Sequence, residues 1–204
     1  MLQTFSRILA RPEIYLLFSR LVGGVKVYHT LIRDHLRPQP GFKMLDIGCG
    51  PAHILNLLDQ VDYTGFDLSP KYIEMARKHH NGRGQFFCRK VSLEAWPHRS
   101  EFDLVLASGV VHHLSDSEAV ELFELARAVL KPGGRLVTLD GCYVEGQSAV
   151  ARYLLSRDRG QFVRTQSAYE ALAAGVFPSV KTTIHHHLIN IPYTHIILEC
   201  ARGQ

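Results

Sequence analysis

In the stretch Met44-Leu45-Asp46-Ile47-Gly48-Cys49-Gly50-Pro51-Ala52, an apolar run passes one acid and then ends in two glycines. The apolar residues up to Ile47 predict a buried strand, and the glycines predict a turn into a helix that begins near Pro51. Because Gly48 and Gly50 lack a Cβ atom, a nucleotide-like ligand could approach the backbone amides of this turn closely. We therefore expect a ligand-binding loop, with packing alone as the alternative reason for the glycines.

The composition indicates a single folded domain. Hydrophobic residues make up 46% of the 204 residues and charged residues 21%, which suits a full-sized core. The formal net charge of +4 is modest and spread along the chain, so it barely favours nucleic acid or an acidic partner. The four cysteines are far apart and show no metal-ligand spacing, which predicts reduced thiols and a cytoplasmic location.

The first 36 residues are rich in apolar and basic side chains. This pattern predicts two short helices, over about 12–22 and 25–36, separated by Gly23-Gly24, that cover the edge of the sheet and roof the ligand pocket. A transit peptide or an amphipathic helix in peripheral contact with a membrane is the alternative. No run approaches the roughly twenty apolar residues that a membrane span needs.

A second strand is predicted from Tyr63 to Asp67, followed by a helix with Ser69 as N-cap and Pro70 at its first position. Strand, helix and strand in this order imply a parallel pair with a right-handed crossover. Asp67 stands about twenty positions after Asp46, which is the spacing expected of an acid that accepts hydrogen bonds from ribose hydroxyls. Asp46 itself could face a positively charged ligand group.

The middle of the chain continues the alternation of strands and helices. Strands are predicted over 85–90, 101–108 and 136–140, and a capping box at Ser115 to Glu118 predicts the start of the helix between the last two. His112 and His113 follow the carboxyl end of the fourth predicted strand. Ligands of open parallel sheets bind at that edge, so these histidines are candidates for chemistry.

Four motifs therefore occur in order between about Phe42 and Gly141: Asp-x-Gly-x-Gly, an acid after the second strand, Phe-Asp-Leu-Val with a His-His pair, and Leu-Lys-Pro-Gly-Gly. Together they resemble the class I S-adenosylmethionine-dependent methyltransferases, most closely the small-molecule enzymes of the ubiquinone-biosynthesis type. The resemblance implies an α/β, doubly wound, Rossmann-like sheet of seven mostly parallel strands, with an antiparallel last strand and helices on both faces. It also implies S-adenosyl-L-methionine as cofactor, S-adenosyl-L-homocysteine as product, and no metal.

The resemblance assigns roles to particular residues. Asp67 becomes the ribose-binding acid, and Leu68 packs on the adenine. At the position of Ser92 the family usually has an acid that binds the adenine amino group, so this sequence departs from the family. The Ser92 hydroxyl and the Leu93 amide could bind the adenine in place of that acid. The cofactor-binding residues expected are Asp46, Gly48, Cys49, Gly50, Asp67, Leu68, Ser92, Leu93 and Ser108.

For catalysis, His112, or alternatively His113, is the candidate base that removes a proton from an acceptor hydroxyl or amine. The alternative is that one histidine caps the next helix and the other packs. On the substrate side, Tyr143 and the arginines at 157, 159 and 164 are candidate contacts. The arginines could clamp a carboxylate or phosphate, or they could belong to a solvated connector.

The remaining sequence predicts helices over 147–156 and 166–174 and a hairpin from strands 180–188 and 194–200. His185-His186-His187 is a poor metal motif, because strand alternation sends only two of the three rings to one face. Asn190-Ile191-Pro192-Tyr193 resembles the signature of adenine amino-methyltransferases, but it does not follow the fourth strand. We interpret it as the hairpin turn.

The sequence thus predicts one methyltransferase domain over 1–204, with an N-terminal helical cap (1–40), a cofactor-binding core (41–141) and substrate-side helices with a hairpin (142–204). The expected reaction moves a methyl group to an oxygen or nitrogen of a small molecule by in-line displacement. The alternatives are a catalytically silent cofactor-binding scaffold or sensor, and an RNA or protein methyltransferase. A nicotinamide dehydrogenase is disfavoured because His53 replaces the third glycine of that fingerprint.

Overall fold

The computed structural model describes residues 23–94, 96 and 99–204. Its strands are β1 Lys43–Ile47, β2 Asp62–Asp67, β3 Gln85–Cys88, β4 Phe102–Ser108, β5 Leu130–Tyr143, β6 Arg164–Thr165, β7 Ser179–His185 and β8 His195–Ala201. Seven of them form a sheet in the order β3-β2-β1-β4-β5-β8-β7, and the two-residue β6 pairs with β5 off this path. Of these strands, β8 alone runs antiparallel to its neighbours β5 and β7. The predicted fold class is confirmed.

Helices cover both faces of the sheet. They are α1 Gly24–Thr30, which continues as π-helix Leu31–Leu36, then α2 Pro70–His80, α3 Asp116–Val129, α4 Ala149–Ser156 and α5 Gln166–Ala174. Apolar side chains of α3 and α5 form one core cluster with the sheet, and those of α1 and α2 form a second cluster. This division is the doubly wound arrangement that alternating strands and helices predict.

Two predicted helix starts are confirmed by their caps. The Ser69 hydroxyl accepts a hydrogen bond from the Tyr72 amide at 3.3 Å, with Pro70 in the first turn of α2. At the start of α3, the Ser115 amide donates to the Glu118 carboxylate at 2.8 Å, and the Glu118 amide donates to the Ser115 hydroxyl at 3.4 Å. These reciprocal bonds are the predicted capping box.

Two predictions about elements are wrong. The helix expected from Pro51 is only the 3-10 turn His53–Leu57, because Leu58 is already extended and Gln60 is left-handed just before β2 begins. The fifth strand does not begin after the Pro-Gly-Gly turn, since β5 starts at Leu130 and carries that turn as an irregularity. The register with β4 shifts between Phe102 and Leu104 to accommodate it.

The helix from Gly24 to Leu36 packs on a face of the sheet rather than on its edge. Val27, Leu31 and Leu36 are buried with side chains of the central strands. The other predicted N-terminal helix, 12–22, lies outside the described residues. Within the described part of the chain, no helix has both the length and the apolar character needed to cross a membrane. The predicted division into cap, core and substrate-side segment stays a prediction.

A network of ion pairs around the buried carboxylate of Glu199 ties this N-terminal segment to β8. The Glu199 carboxylate, only 7% exposed, lies 3.0 Å from His35 Nδ1, and its other oxygen pairs with the Arg37 guanidinium. Lys181 on the edge strand approaches the same carboxylate at 3.6 Å. A buried carboxylate needs such partners because its desolvation is costly.

Glu199→Gln keeps the shape of the side chain but removes the buried charge that faces Arg37. We expect the free energy of unfolding to fall by about 2 kcal/mol, because the cation loses its partner. Glu124→Gln, on the exposed surface of α3, is the matched control and should change stability by less than about 0.5 kcal/mol. Urea unfolding measures both, and equal effects would contradict the structural role of Glu199.

Candidate active site

The glycine loop joins β1 to the 3-10 turn and has a left-handed backbone. Gly48 has φ 72° and Gly50 has φ 53°. A Cβ atom on Gly48 would lie 2.6 Å from Cγ2 of Val110, so a larger residue does not fit there. At Gly50 the space is open, because no atom of the described residues, apart from its two chain neighbours, lies within 4 Å of a Cβ position. The loop therefore packs against the segment after β4 on one side and leaves room for a ligand on the other.

The amides of this loop are already hydrogen-bonded within the protein. The Gly48 and Cys49 amides both donate to the Phe66 carbonyl, at 2.8 and 3.0 Å. The Gly50 amide donates to Oδ2 of Asp67 at 2.9 Å. The partners of these amides lie in β2, so the amides hold the loop to that strand. The close approach of a ligand to the loop stays a prediction.

Asp67 ends β2 and links the glycine loop to the start of α2. In addition to the bond from Gly50, its Oδ1 accepts a hydrogen bond from the Ser69 amide at 2.8 Å. Each carboxylate oxygen has two lone pairs, so the half-buried side chain can accept further bonds from ligand hydroxyls. The next side chain, Leu68, is 71% exposed and offers a flat apolar surface beside the carboxylate.

Asp46 lies at the end of β1 and is only 3% exposed. The Tyr63 hydroxyl donates to its Oδ2 at 2.5 Å. Burial raises the pKa of Asp46 to about 7, and the charge of Asp67 acts in the same direction, whereas the bond from Tyr63 opposes the shift. A ligand cation placed beside Asp46 would favour the ionised carboxylate and be held by it.

The loop after β3 carries Ser92 and Leu93, both half-buried. The Trp96 amide donates to the Ser92 carbonyl at 2.8 Å, and the Trp96 ring packs edge-on against Phe66 of β2. This packing places the loop beside the strand that ends at Asp67. Ser108, at the end of β4, is also half-buried. The cofactor contacts expected of Ser92, Leu93 and Ser108 stay predictions.

His112 lies on a 3-10 turn, Val111–His113, directly after β4 and is buried. Its Nδ1 is 2.7 Å from Oδ1 of Asp140, and its backbone amide donates to the same oxygen at 3.1 Å. A carboxylate only accepts hydrogen bonds, so Nδ1 carries the proton and Nε2 is the basic position of the neutral ring. Burial acts to lower the pKa of His112, but the bond to Asp140 and the Asp140 and Asp158 charges outweigh it and raise the pKa.

Asp158 faces the other ring nitrogen of His112. Its Oδ1 lies 3.4 Å from Nε2 and also accepts a hydrogen bond from the Gly160 amide. The Tyr193 hydroxyl donates to Oδ2 at 2.7 Å, and burial, together with the charge of Asp158, raises the pKa of Tyr193 so that it remains a donor. His112 is thus hydrogen-bonded to Asp140, and Tyr193 to Asp158, and the 3.4 Å approach of Asp158 to Nε2 brings the four side chains into one row at the carboxyl edge of the sheet.

His113 has a different environment from its neighbour. Its side chain is exposed, and its ring lies against that of His112 with centroids 4.2 Å apart. Of the two histidines, His112 therefore has the carboxylate partner.

Sequence reasoning missed Asp140, Asp158 and Tyr193. Asp140 could have been found as an acid near the end of a strand, which is the signal that identified Asp67. Asp158 was missed because it stands between two arginines, which were interpreted as contacts for an anionic substrate.

The arginines between α4 and α5 do not form one clamp. Arg164 is buried, and its guanidinium donates to Asp116 and to the carbonyls of Val111 and Leu114. These bonds lie on both sides of His112 and hold the turn that carries it. This geometry favours a structural role for Arg164 over the predicted substrate contact. The side chains of Arg157 and Arg159 are exposed.

Tyr143, the other candidate substrate contact, ends β5. It is half-buried, and the Arg152 guanidinium lies 5.6 Å from the centre of its ring. The substrate contacts expected of Tyr143, Arg157 and Arg159 stay predictions.

Gly160→Ala tests how tightly this segment packs on His112. An added Cβ would lie 2.7 Å from the His112 carbonyl oxygen and closer still to its ring. We expect the free energy of unfolding to fall by about 2 kcal/mol, with displaced NMR signals of the His112 ring. Gly175→Ala, where the nearest atom would be 3.5 Å away, is the control and should change neither. Unchanged His112 signals in a folded Gly160→Ala protein would contradict this packing.

Comparison with known proteins agrees with the fold and with the glycine loop. Residues 44–134 match the methyltransferase domain family. An uncharacterized methyltransferase of Synechocystis is 32% identical over 135 residues, which are 63% of each chain. A ubiquinone biosynthesis O-methyltransferase of Sinorhizobium fredii is 38% identical over 53% of this chain and 46% of its own. These matches, together with the fold, confirm the predicted resemblance to the class I S-adenosylmethionine-dependent methyltransferases.

Other relatives differ in the acceptor that their names give. A probable tRNA methyltransferase 9B of Homo sapiens is 36% identical over 52% of this chain and 23% of its own. A solved phosphoethanolamine N-methyltransferase 2 of Haemonchus contortus, in complex with S-adenosyl-L-methionine, shares the fold, with a TM-score of 0.77 at 15% identity over all of this chain and 60% of that one. The chain spans less than two thirds of the length of each of these relatives.

Proposed function

We propose that this protein transfers a methyl group from S-adenosyl-L-methionine to an oxygen or nitrogen of a small molecule. The observation that carries the proposal is the 2.7 Å contact of Asp140 on β5 with His112, which lies on the segment that packs against the glycine loop. A ligand-binding loop and an oriented base thus share one edge of the sheet, where ligands of such sheets bind. The names of the relatives, several of them small-molecule methyltransferases, support the same class of reaction.

The residues of the loop fit the proposed cofactor. When bound, S-adenosyl-L-methionine supplies a methyl group on a sulfonium, which is an excellent leaving group. Asp46, buried and with a raised pKa, is suited to hold a cationic group of the ligand. Asp67 retains acceptor capacity for ribose hydroxyls, and Leu68 offers exposed apolar surface for the adenine. Gly48 and Gly50 add no side chain to the space beside the loop.

The role proposed for His112 is to take the proton that the acceptor loses. Asp140 holds the proton on Nδ1, so that Nε2 is the basic atom of the neutral ring. Asp158 lies 3.4 Å from Nε2, so an acceptor hydroxyl or amine would approach the basic atom beside this carboxylate. Most of the rate enhancement is expected from positioning, because the acceptor atom must be held about 3 Å from the methyl carbon.

Two alternatives remain. A nucleic acid acceptor is suggested by the tRNA methyltransferase relatives, but the small net charge of +4 gives little electrostatic attraction to a polyanion. A silent scaffold would bind the cofactor without transferring its methyl group. Formation of S-adenosyl-L-homocysteine from S-adenosyl-L-methionine, in the presence of fractionated small molecules or of RNA, separates the three functions.

Asp67→Ala tests the cofactor site by calorimetric titration with S-adenosyl-L-methionine and S-adenosyl-L-homocysteine. The change removes the proposed partner of the ribose hydroxyls and the bond that holds the Gly50 amide. We expect affinity to fall by roughly a hundredfold, the loss of about two charge-assisted hydrogen bonds. Asp59→Ala, an exposed acid elsewhere on the surface, should bind like the native protein. Equal affinity in the native protein and in Asp67→Ala would contradict the assignment.

The pKa of His112 tests the proposed base. In the native protein we expect the ring to titrate above the ordinary value of 6.5, since the Asp140 and Asp158 charges favour the protonated form. Its basic form, and any turnover that needs it, should therefore increase as the pH rises through the raised pKa. Asp140→Asn removes one charge, so the titration should move to lower pH, and turnover should fall about a hundredfold because the ring loses its orientation.

NMR titration of the His112 ring signals measures the shift without an acceptor, and the exposed Asp62→Asn is the control. A native His112 that titrates at or below 6.5, or one that Asp140→Asn leaves unmoved, would refute the proposed pairing.

A further inference from the structure

A groove opens on the substrate side of the sheet, separate from the glycine loop. It has a volume of about 520 Å³ and lies between the segment that joins β7 to β8 and the start of α4. Its walls include residues 189–194 of the hairpin turn and residues 146–148 before α4. The groove is therefore large enough for a small organic molecule.

The charged and basic side chains of this groove are Lys26, His186 and His187. Among the described residues that line it, none is an aspartate or glutamate. The Lys26 ammonium donates to the His187 carbonyl at 3.0 Å, which holds the cation at the rim. An ammonium has three N–H donors, so this bond leaves it able to bind a ligand as well. Ser148 caps α4 here, and the positive end of a helix dipole further favours an anion.

The wall of the groove that contains Tyr193 is connected to His112 through Asp158. Tyr193 lines the groove and donates its hydroxyl to Asp158, which faces Nε2 of His112. Close packing keeps Tyr193 in place, because a Cβ on Gly141 at the end of β5 would lie 2.5 Å from the Tyr193 oxygen. Gln147 lines the other wall, formed by residues 146–148, and its side-chain oxygen is buried with no hydrogen-bond partner in the described part of the chain.

We propose that this groove binds an anionic group of the methyl acceptor, a phosphate or a carboxylate. Lys26 and the two histidines contact the anion, and the rest of the acceptor extends past Tyr193 toward His112. This inference rests on the proposed function, since it assigns a substrate class to the same site. It predicts that acceptors with an anionic group are preferred over neutral analogues of the same size.

Titration of the native protein with sodium phosphate and, separately, with sodium acetate at constant ionic strength tests the groove. The NMR signals of the His186 and His187 rings report binding, and the two anions distinguish a phosphate site from a carboxylate site. Lys26→Gln should weaken binding of the preferred anion roughly tenfold, the effect of one lost charged contact. Lys78→Gln, an exposed lysine on α2, is the matched control.

Saturable binding that is weakened in Lys26→Gln and in His187→Gln but kept in Lys78→Gln supports the proposal. Absence of saturation with both anions, or equal weakening in Lys26→Gln and Lys78→Gln, overturns it. Calorimetric titration with S-adenosyl-L-methionine, run on the same proteins, keeps the two hypotheses apart. A protein that binds the anion in the groove but never the cofactor would refute the proposed function and leave the anion site standing.

Discussion

The parallel pairing of β1 with β2 and β4 is the constraint on which the site depends. In that register Asp46 lies opposite Gly65 on one side and Leu106 on the other, so all three strands end at one edge of the sheet. The groups that follow these strands, the glycine loop, Asp67 and His112, meet there although they are far apart in sequence. Backbone hydrogen bonds, which cannot be given up in a buried sheet, thus place the candidate site.

Two buried carboxylates at this edge are stabilised in different ways. Asp46 accepts a hydrogen bond from the Tyr63 hydroxyl, and burial raises its pKa to about 7. Asp140 accepts two bonds from His112, one from the backbone and one from the ring. The first arrangement leaves an acid suited to a cationic ligand, and the second fixes the orientation of an imidazole. Both carboxylates are buried, so the difference between their roles comes from the hydrogen-bond donors that each one faces.

Most of the fold was predictable because its signals are local. These signals are glycines at turns with a left-handed backbone, Ser-x-x-Glu at a helix start, and apolar runs of strand length. Each of them depends on residues that are near one another in sequence. The prediction was wrong where a short connection overrode propensity, as in the 3-10 turn that replaces the helix after Pro51. It was also wrong at Leu130, where β5 begins earlier than the apolar pattern indicates.

By itself, the sequence predicted the resemblance to methyltransferases, the order of the elements and the positions of Asp46 and Asp67, because each depends on motifs and spacing along the chain. Only the tertiary structure decided which of two adjacent histidines has a carboxylate partner, since Asp140 is 28 residues from His112. It alone showed that the guanidinium of Arg164 points inward to carbonyl groups. Such contacts depend on how strands and loops that are distant in sequence pack together. A linear pattern of residue types does not specify this packing.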